Sequence, residues 1–191
     1  MSNKKDRIND LLTFINRGEK LKQIMRHSWL SNGRRESVAE HTWRMALMAI
    51  VLASELDKKV NLAHTLEIIL VHDLPEIIAG DRAAWKARKA DKHRLEKEGL
   101  QVLTKTLSPP TGKKIMSLWL EFEEDRSLEA HFAQALDKLE VLIQHNQANI
   151  KTWRKSEREF SLHYGDETCT YDKTLKSLKD LVRINTAEKI R

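Results

Sequence analysis

Apolar residues recur every three to four positions along almost the whole chain, and strict two-residue alternation is nearly absent. An apolar stripe of that period is buried by packing helix on helix, so the expected fold is all-α, a single-domain helical bundle. Composition agrees: six glycines and three prolines in 191 residues leave few turns for an all-β fold. With 40% hydrophobic and 32% charged residues, the chain can build a core and does not read as disordered. Its length suits one domain, taken as residues 1–191. No apolar run nears the roughly 20 residues that span a bilayer. The opening MSNKKDRIND lacks a secretory apolar stretch, and the lone Cys169 fits a reducing compartment, so the expected location is cytoplasmic. The net charge is +6, but Lys and Arg are interleaved with Asp and Glu, which describes a solvated mixed-charge surface better than a nucleic-acid face. The clearest basic stretch, residues 82–94, reads as a phosphate funnel or an exposed helix face, with Trp85 over the site or the surface.

Along the chain, residues 7–17 and 19–26 read as short helices, followed by a loop over 28–33. Ser37 and Glu40 have the spacing of a capping box that opens a helix. That helix is apolar round much of its circumference (Met45, Ala46, Ala49, Ile50, Leu52, Ala53), so it is expected to be central. A second apolar helix spans 62–74, and Pro75 should kink or restart it. Gly80 marks a stop. Further helices are expected over about 91–107 and 113–124, separated by a turn at 108–112, and over 128–148 behind a Ser127 cap. The last 40 or so residues look less regular, with one helix near 171–184. Trp43, Trp119, Phe122 and Phe132 lie at helical spacings and are expected in the core.

Two of the eight histidines stand out. His41 lies in the first turn of the capped helix, and His72 ends an apolar run with Asp73 directly behind it. A buried ionised Asp is costly unless paired or coordinated. Imidazole and carboxylate placed where Pro75 bends the chain can share a metal ion, or simply hydrogen-bond one another. Taken alone, the His-Asp dipeptide is a weak signal. Glu76 and Asp81 follow, so residues 72–81 gather one histidine and three carboxylates, with apolar residues between them. That mixture does not describe a plain surface.

Three stretches together resemble the HD-domain phosphohydrolases, in the 5′-deoxynucleotidase branch. They are Arg35-Glu-Ser-Val-Ala-Glu-His41, then His72-Asp73 followed by Glu76 and Gly80-Asp81, then Gln134-Ala-Leu-Asp137-Lys-Leu-Glu. The resemblance covers about residues 17–148, leaving 149–191 as a helical extension. It implies an HD-type bundle and one divalent metal (Co, Mn, Mg, Zn or Fe) held by His41, His72, Asp73 and Asp137. Asp137 enters only through the resemblance, because it otherwise reads as a solvated aspartate. The resemblance also implies Glu76 as the residue that orients or deprotonates water, with Asp81 holding a ligand, a water or the sugar. The resemblance makes Arg26 a candidate phosphate clamp, since a guanidinium pairs bidentately with phosphate. Trp29, two positions from the place of the family's nucleotide-recognising tryptophan, is expected to bind substrate by stacking on the base or blocking a 2′-hydroxyl, or else to anchor its loop in the core. Related proteins are commonly homodimers. The expected activity is hydrolysis of deoxyribonucleoside 5′-monophosphates, a small-molecule nucleotide substrate, with no nucleic acid or membrane partner. The alternatives are an HD hydrolase of another phosphoester and a non-catalytic module that binds nucleotide or nucleic acid.

Overall fold

In the computed structural model, residues 4–81 and 89–191 are described. Helix α1 (Lys4–Arg17) is followed by a single turn, α2 (Lys20–Gln23), and then by a hairpin of β1 (Met25–Trp29) and β2 (Arg35–Ser37). The strands are antiparallel, with Met25 opposite Ser37 and Trp29 opposite Arg35. This hairpin replaces the end of the helix expected over 19–26. Its buried residues, Ser28, Glu36 and Ser37, are polar or charged, so no hydrophobic alternation signals a strand.

Helix α3 (Val38–Leu52) opens on the expected capping box: Ser37 Oγ accepts from the Glu40 amide at 3.2 Å, and Glu40 accepts from the Ser37 amide at 2.8 Å. The Arg34 guanidinium on Glu40 holds that carboxyl down at about 2, against the opposing effect of burial. One face of α3 is buried, carrying Val38, His41, Thr42, Met45 and Ala49. The helix is not surrounded by core, however. Trp43, Leu47, Ile50 and Val51 lie on the other side and are exposed, Trp43 by 65%. Trp43 is thus not a core residue, because its neighbours α4 and α8 cover only the opposite face.

Helix α4 (Leu62–His72) ends at His72 with Asp73 as its cap, and the chain restarts after Pro75 as the short α5 (Glu76–Ala79). Gly80, at φ +73°, ends that turn. Helix α6 (Lys89–Thr104) leads to α7 (Pro109–Glu123). The stretch 108–112 is therefore the first turn of α7 and not a connecting turn. Proline at the first helical position lacks only an N–H that the helix leaves unbonded anyway.

Helix α8 (Leu128–Gln147), capped by Ser127, is the central element and packs against α3, α4 and α7. Phe132, Ala133, Leu136, Leu139 and Leu142 are its buried apolar stripe, and Trp119 and Phe122 of α7 join the core. The final segment is more helical than expected: α9 (Lys155–His163), α10 (Asp166–Cys169) and α11 (Lys173–Ile190) follow α8. Asp172 caps α11 by accepting from the Thr174 and Leu175 amides. One hydrophobic cluster runs from Leu21 to Val182. Among the described residues, no helix is long and apolar enough to cross a membrane. Removing the Ser37 cap by Ser37→Ala should cost about 1 kcal/mol. A chain of this size should then lose about 2–4 °C in Tm by calorimetry, and an unchanged Tm would show that the cap is dispensable.

Candidate active site

His41 projects from the buried face of α3, His72 from the last turn of α4, Asp73 from the cap behind it and Asp137 from the middle of α8. Their side chains converge. His41 Nε2 lies 3.2 Å from Asp137 Oδ1 and 4.0 Å from Asp73 Oδ2, and His72 Nε2 lies 3.2 Å from Asp73 Oδ2. One donor atom from each of His41, His72 and Asp73 falls within 4.8 Å of the other two. These three atoms are buried and have no hydrogen-bond partner among the described residues. Buried polar atoms normally find partners, so donors that converge and remain orphaned mark a place for a cation.

The other ring nitrogens are committed. His41 Nδ1 contacts the Glu140 carboxylate, and His72 Nδ1 donates to the Ile69 carbonyl at 2.7 Å. Such partners fix the tautomer and leave each Nε2 lone pair for an ion. Glu140 is itself held by Arg44, whose Nε donates to it at 2.7 Å, and both sit near the buried Glu36. Burial opposes the Glu140 charge, but His41 and Arg44 overcome it and hold the carboxyl down at about 2. Burial and Arg26 oppose a charge on His41, whereas Glu140 and Asp137 push its pKa up to about 9. The cluster is anionic enough to hold a proton where a cation could sit.

A cavity of 470 Å³ opens on this cluster, within the ~300–1,000 Å³ of small-molecule sites. Asp73, Asp137 and His72 line it, as do Glu76 and Asp81. Burial pushes the Glu76 carboxyl up to about 9, with Asp73 and Asp81 adding to the rise and Arg26 and Lys92 countering it. Burial likewise raises Asp81. Arg26 enters from β1, 3.5 Å from Asp73 and 3.4 Å from Glu36. Burial disfavours its charge, but Asp73, Glu140, Asp137 and Glu36 together hold it protonated. Trp29 is not among the lining residues; Gln144 holds its backbone carbonyl at 2.6 Å. The histidines between His41 and Asp137 divide. His64 pairs with Glu121 and His131 with Asp125, while His93 lines the cavity against the Trp119 ring.

Several residues at the site went unread in the sequence. Lys92 lines the cavity, inside the basic stretch that pointed to phosphate; Trp85 and the rest of 82–88 lie outside the described residues. Lys138 sits 2.6 Å from Asp137 and faces the Tyr164 ring at 5.3 Å. No periodicity marks Glu36 on β2, Arg44 on α3 or Glu140 on α8, because only the fold brings these charges together.

An HD-domain family model matches residues 18–179, most of the chain and all of the residues just described. The chain belongs to the HD-domain family. A human 5′-deoxynucleotidase is 37% identical to this HD-domain protein over 137 residues, 70% of this chain and 66% of that one. A Saccharomyces cerevisiae 5′-deoxynucleotidase is 34% identical over 143 residues, 71% of this chain and 59% of that one. The matched part therefore spans about two thirds or less of these relatives' lengths. The crystal structure of a predicted metal-dependent phosphohydrolase from Magnetospirillum magnetotacticum superposes with a TM-score of 0.82 at 28% identity, over 96% of this chain and 97% of that one. In this HD-domain protein, Glu140→Gln removes the charge behind His41 with little change of shape. Affinity for Mn²⁺ or Co²⁺ should fall about 10- to 100-fold by calorimetry. An unchanged affinity in a folded variant would refute the role of Glu140.

Proposed function

We propose that this HD-domain protein is a metal-dependent phosphomonoesterase that hydrolyses deoxyribonucleoside 5′-monophosphates to deoxynucleoside and phosphate. The observation that carries the reading is the convergence of two tautomer-fixed imidazoles and two carboxylates on a cavity that also holds Arg26. The names of the curated relatives supply the substrate class.

His41, His72, Asp73 and Asp137 would hold one divalent ion; imidazole plus carboxylate suits Mn, Co, Fe, Zn or Mg. When bound, the ion supplies positive charge for a phosphate oxygen and acidifies a water. The Arg26 guanidinium clamps two phosphate oxygens, and Lys92 adds a second positive charge in the same cavity. Glu76 is buried with one carboxylate oxygen unpartnered among the described residues. It orients the attacking water and takes its proton. Burial, with Asp73 and Asp81, raises Glu76 to about 9 even with Arg26 and Lys92 beside it, so it is the added charge of a cation at the His/Asp cluster that would favour its ionised form. Water attacks phosphorus in line, the bond to the 5′-oxygen breaks, and the leaving oxygen collects a proton. Asp81 holds a water or the sugar beside Glu76.

Phosphate release from dAMP and AMP, with Co²⁺, Mn²⁺ or Mg²⁺, tests this reading. Activity on dAMP, weak activity on AMP and none in Asp73→Ala is the expected result. Equal rates on both would discard the sugar selectivity, and no release from either with metal bound would overturn the nucleotidase reading. Glu76→Gln should lower kcat by about 10²- to 10⁴-fold while metal binding persists.

The partner we infer is a second copy of the chain. Trp43, Leu47, Ile50 and Val51 make a continuous exposed stripe at helical spacing on α3, suited to helix–helix association. Val51→Glu should convert a dimer to a monomer in analytical ultracentrifugation; a wild-type chain already monomeric at micromolar concentration would remove this inference. A cytoplasmic location fits the buried free thiol of Cys169.

A further inference from the structure

The cavity continues past the His/Asp cluster along α8. His145, which lines it, stands eight residues beyond Asp137 on the same helix, about 12 Å along the axis. The two ends of α9 meet α8 in reverse order: the residue after it, Tyr164, reaches Lys138, while Glu157 in its first turn acts on His145. Phe160 and Ser161 fall between those two anchors, and both line the cavity. The wall they form has two unusual properties.

First, it contains buried polar atoms with nothing to bond. Ser161 is 1% exposed, yet its hydroxyl has no partner among the described residues. The same holds for His145 Nδ1. The His145 ring is set by Trp153, whose Nε1 donates to the His145 carbonyl at 3.1 Å and whose ring lies 5.1 Å away. Burial lowers the His145 pKa, which keeps the imidazole neutral, with one nitrogen to donate and one to accept. Second, the wall carries an uncovered aromatic ring. Phe160 is 41% exposed although it lines a cavity, and it is braced by Tyr164 at 4.6 Å between centroids. A flat ring beside an unpaired hydroxyl and a neutral imidazole offers one face to stack on and edges to bond. The matching ligand is planar and heteroaromatic, with ring and exocyclic nitrogen or oxygen atoms. The hairpin closes the same end, since His27 Nε2 lies 2.5 Å from Glu157 and lines the cavity next to Arg26.

We propose that Phe160, Ser161 and His145 form a nucleobase subsite, so that the C-terminal segment reads the base while the His/Asp cluster and Arg26 hold the phosphate. This rests on the nucleotidase reading for the identity of the ligand. The span of about 12 Å along α8 suits a nucleotide lying with its phosphate at Asp137 and its base at α9.

The test compares a deoxynucleoside 5′-monophosphate with 2-deoxyribose 5-phosphate, which has the same phosphate and sugar but no base. Wild-type, Phe160→Ala and Ser161→Ala proteins are assayed with Mn²⁺, taking dAMP, dGMP, dCMP and TMP in turn. In Phe160→Ala, the ratio of kcat/KM for nucleotide over base-less substrate should fall roughly tenfold. In Ser161→Ala it should fall roughly three- to tenfold for the bases whose edge the hydroxyl meets. Both substitutions delete atoms without adding bulk, and circular dichroism verifies the fold. A ratio unchanged for all four nucleotides, or equal losses on both substrates, overturns the subsite. If the metal-loaded wild type hydrolyses neither substrate, the nucleotidase reading fails. The subsite is then judged by saturation-transfer NMR with free deoxyadenosine. Transfer to the base protons that is lost in Phe160→Ala supports it, and no transfer to the base in the wild type overturns it.

Discussion

The contact between His41 Nδ1 and the Glu140 carboxylate holds the site together. It joins α3 to α8 across 99 positions of sequence, in the interior of the bundle. A buried ion pair returns its desolvation cost only when the remaining lone pairs and protons are also satisfied. Here Arg44 supplies that, donating to Glu140 and onward to Gln144 and Gln147. Gln144 in turn donates to the Trp29 carbonyl and so fastens the hairpin that carries Arg26. One chain of polar contacts thus fixes helix spacing, histidine tautomer and the position of the guanidinium. Loss of any member would strand another in a low-dielectric interior.

The apolar packing of α8 supplies rigidity round this polar interior. Leu136, Leu139 and Leu142 fix the rotation of the helix, and that rotation alone determines that Asp137 faces the cavity and Glu140 faces His41. At the other side, Gly165 adopts φ +80° against α8, and a Cβ there would come within 2.7 Å of Lys138. Only glycine allows the α9–α10 junction to close so tightly on the residue next to Asp137. The C-terminal segment is therefore built into the cavity wall.

The helical pattern of the chain was legible from periodicity, and the Ser37 and Ser127 caps placed the starts of α3 and α8. The clustering of His72, Asp73, Glu76 and Asp81 was legible too, since carboxylates set among apolar residues at a helix break need partners. Asp137 was not legible from the residues alone; it came through the family register. What escaped was decided by long-range contacts. The hairpin was missed because its inward residues serve a polar cavity, and Trp43 was misplaced because period alone does not say how many faces of a helix find partners. Phe160, Ser161 and His145 carry no local signal, and only the fold brings them to one cavity. The prolines at 109 and 110 pointed to a turn, yet the chain uses them to start α7, because proline costs nothing at the first helical positions.

The hairpin is tied to α9 through His27 and Glu157, residues far apart in the chain. During synthesis, α3 and α4 emerge with their imidazoles and Asp73 well before α8 and α9 exist to cover them. At ribosomal speeds of roughly 5–20 residues per second, the 99 positions from His41 to Glu140 correspond to roughly 5–20 s. For most of that interval the growing chain carries His41, His72 and Asp73 without Asp137, Glu140 or the helix that covers them. Non-local contacts of this kind close late in folding. The candidate site can thus close only once α8 has emerged and docked on α3.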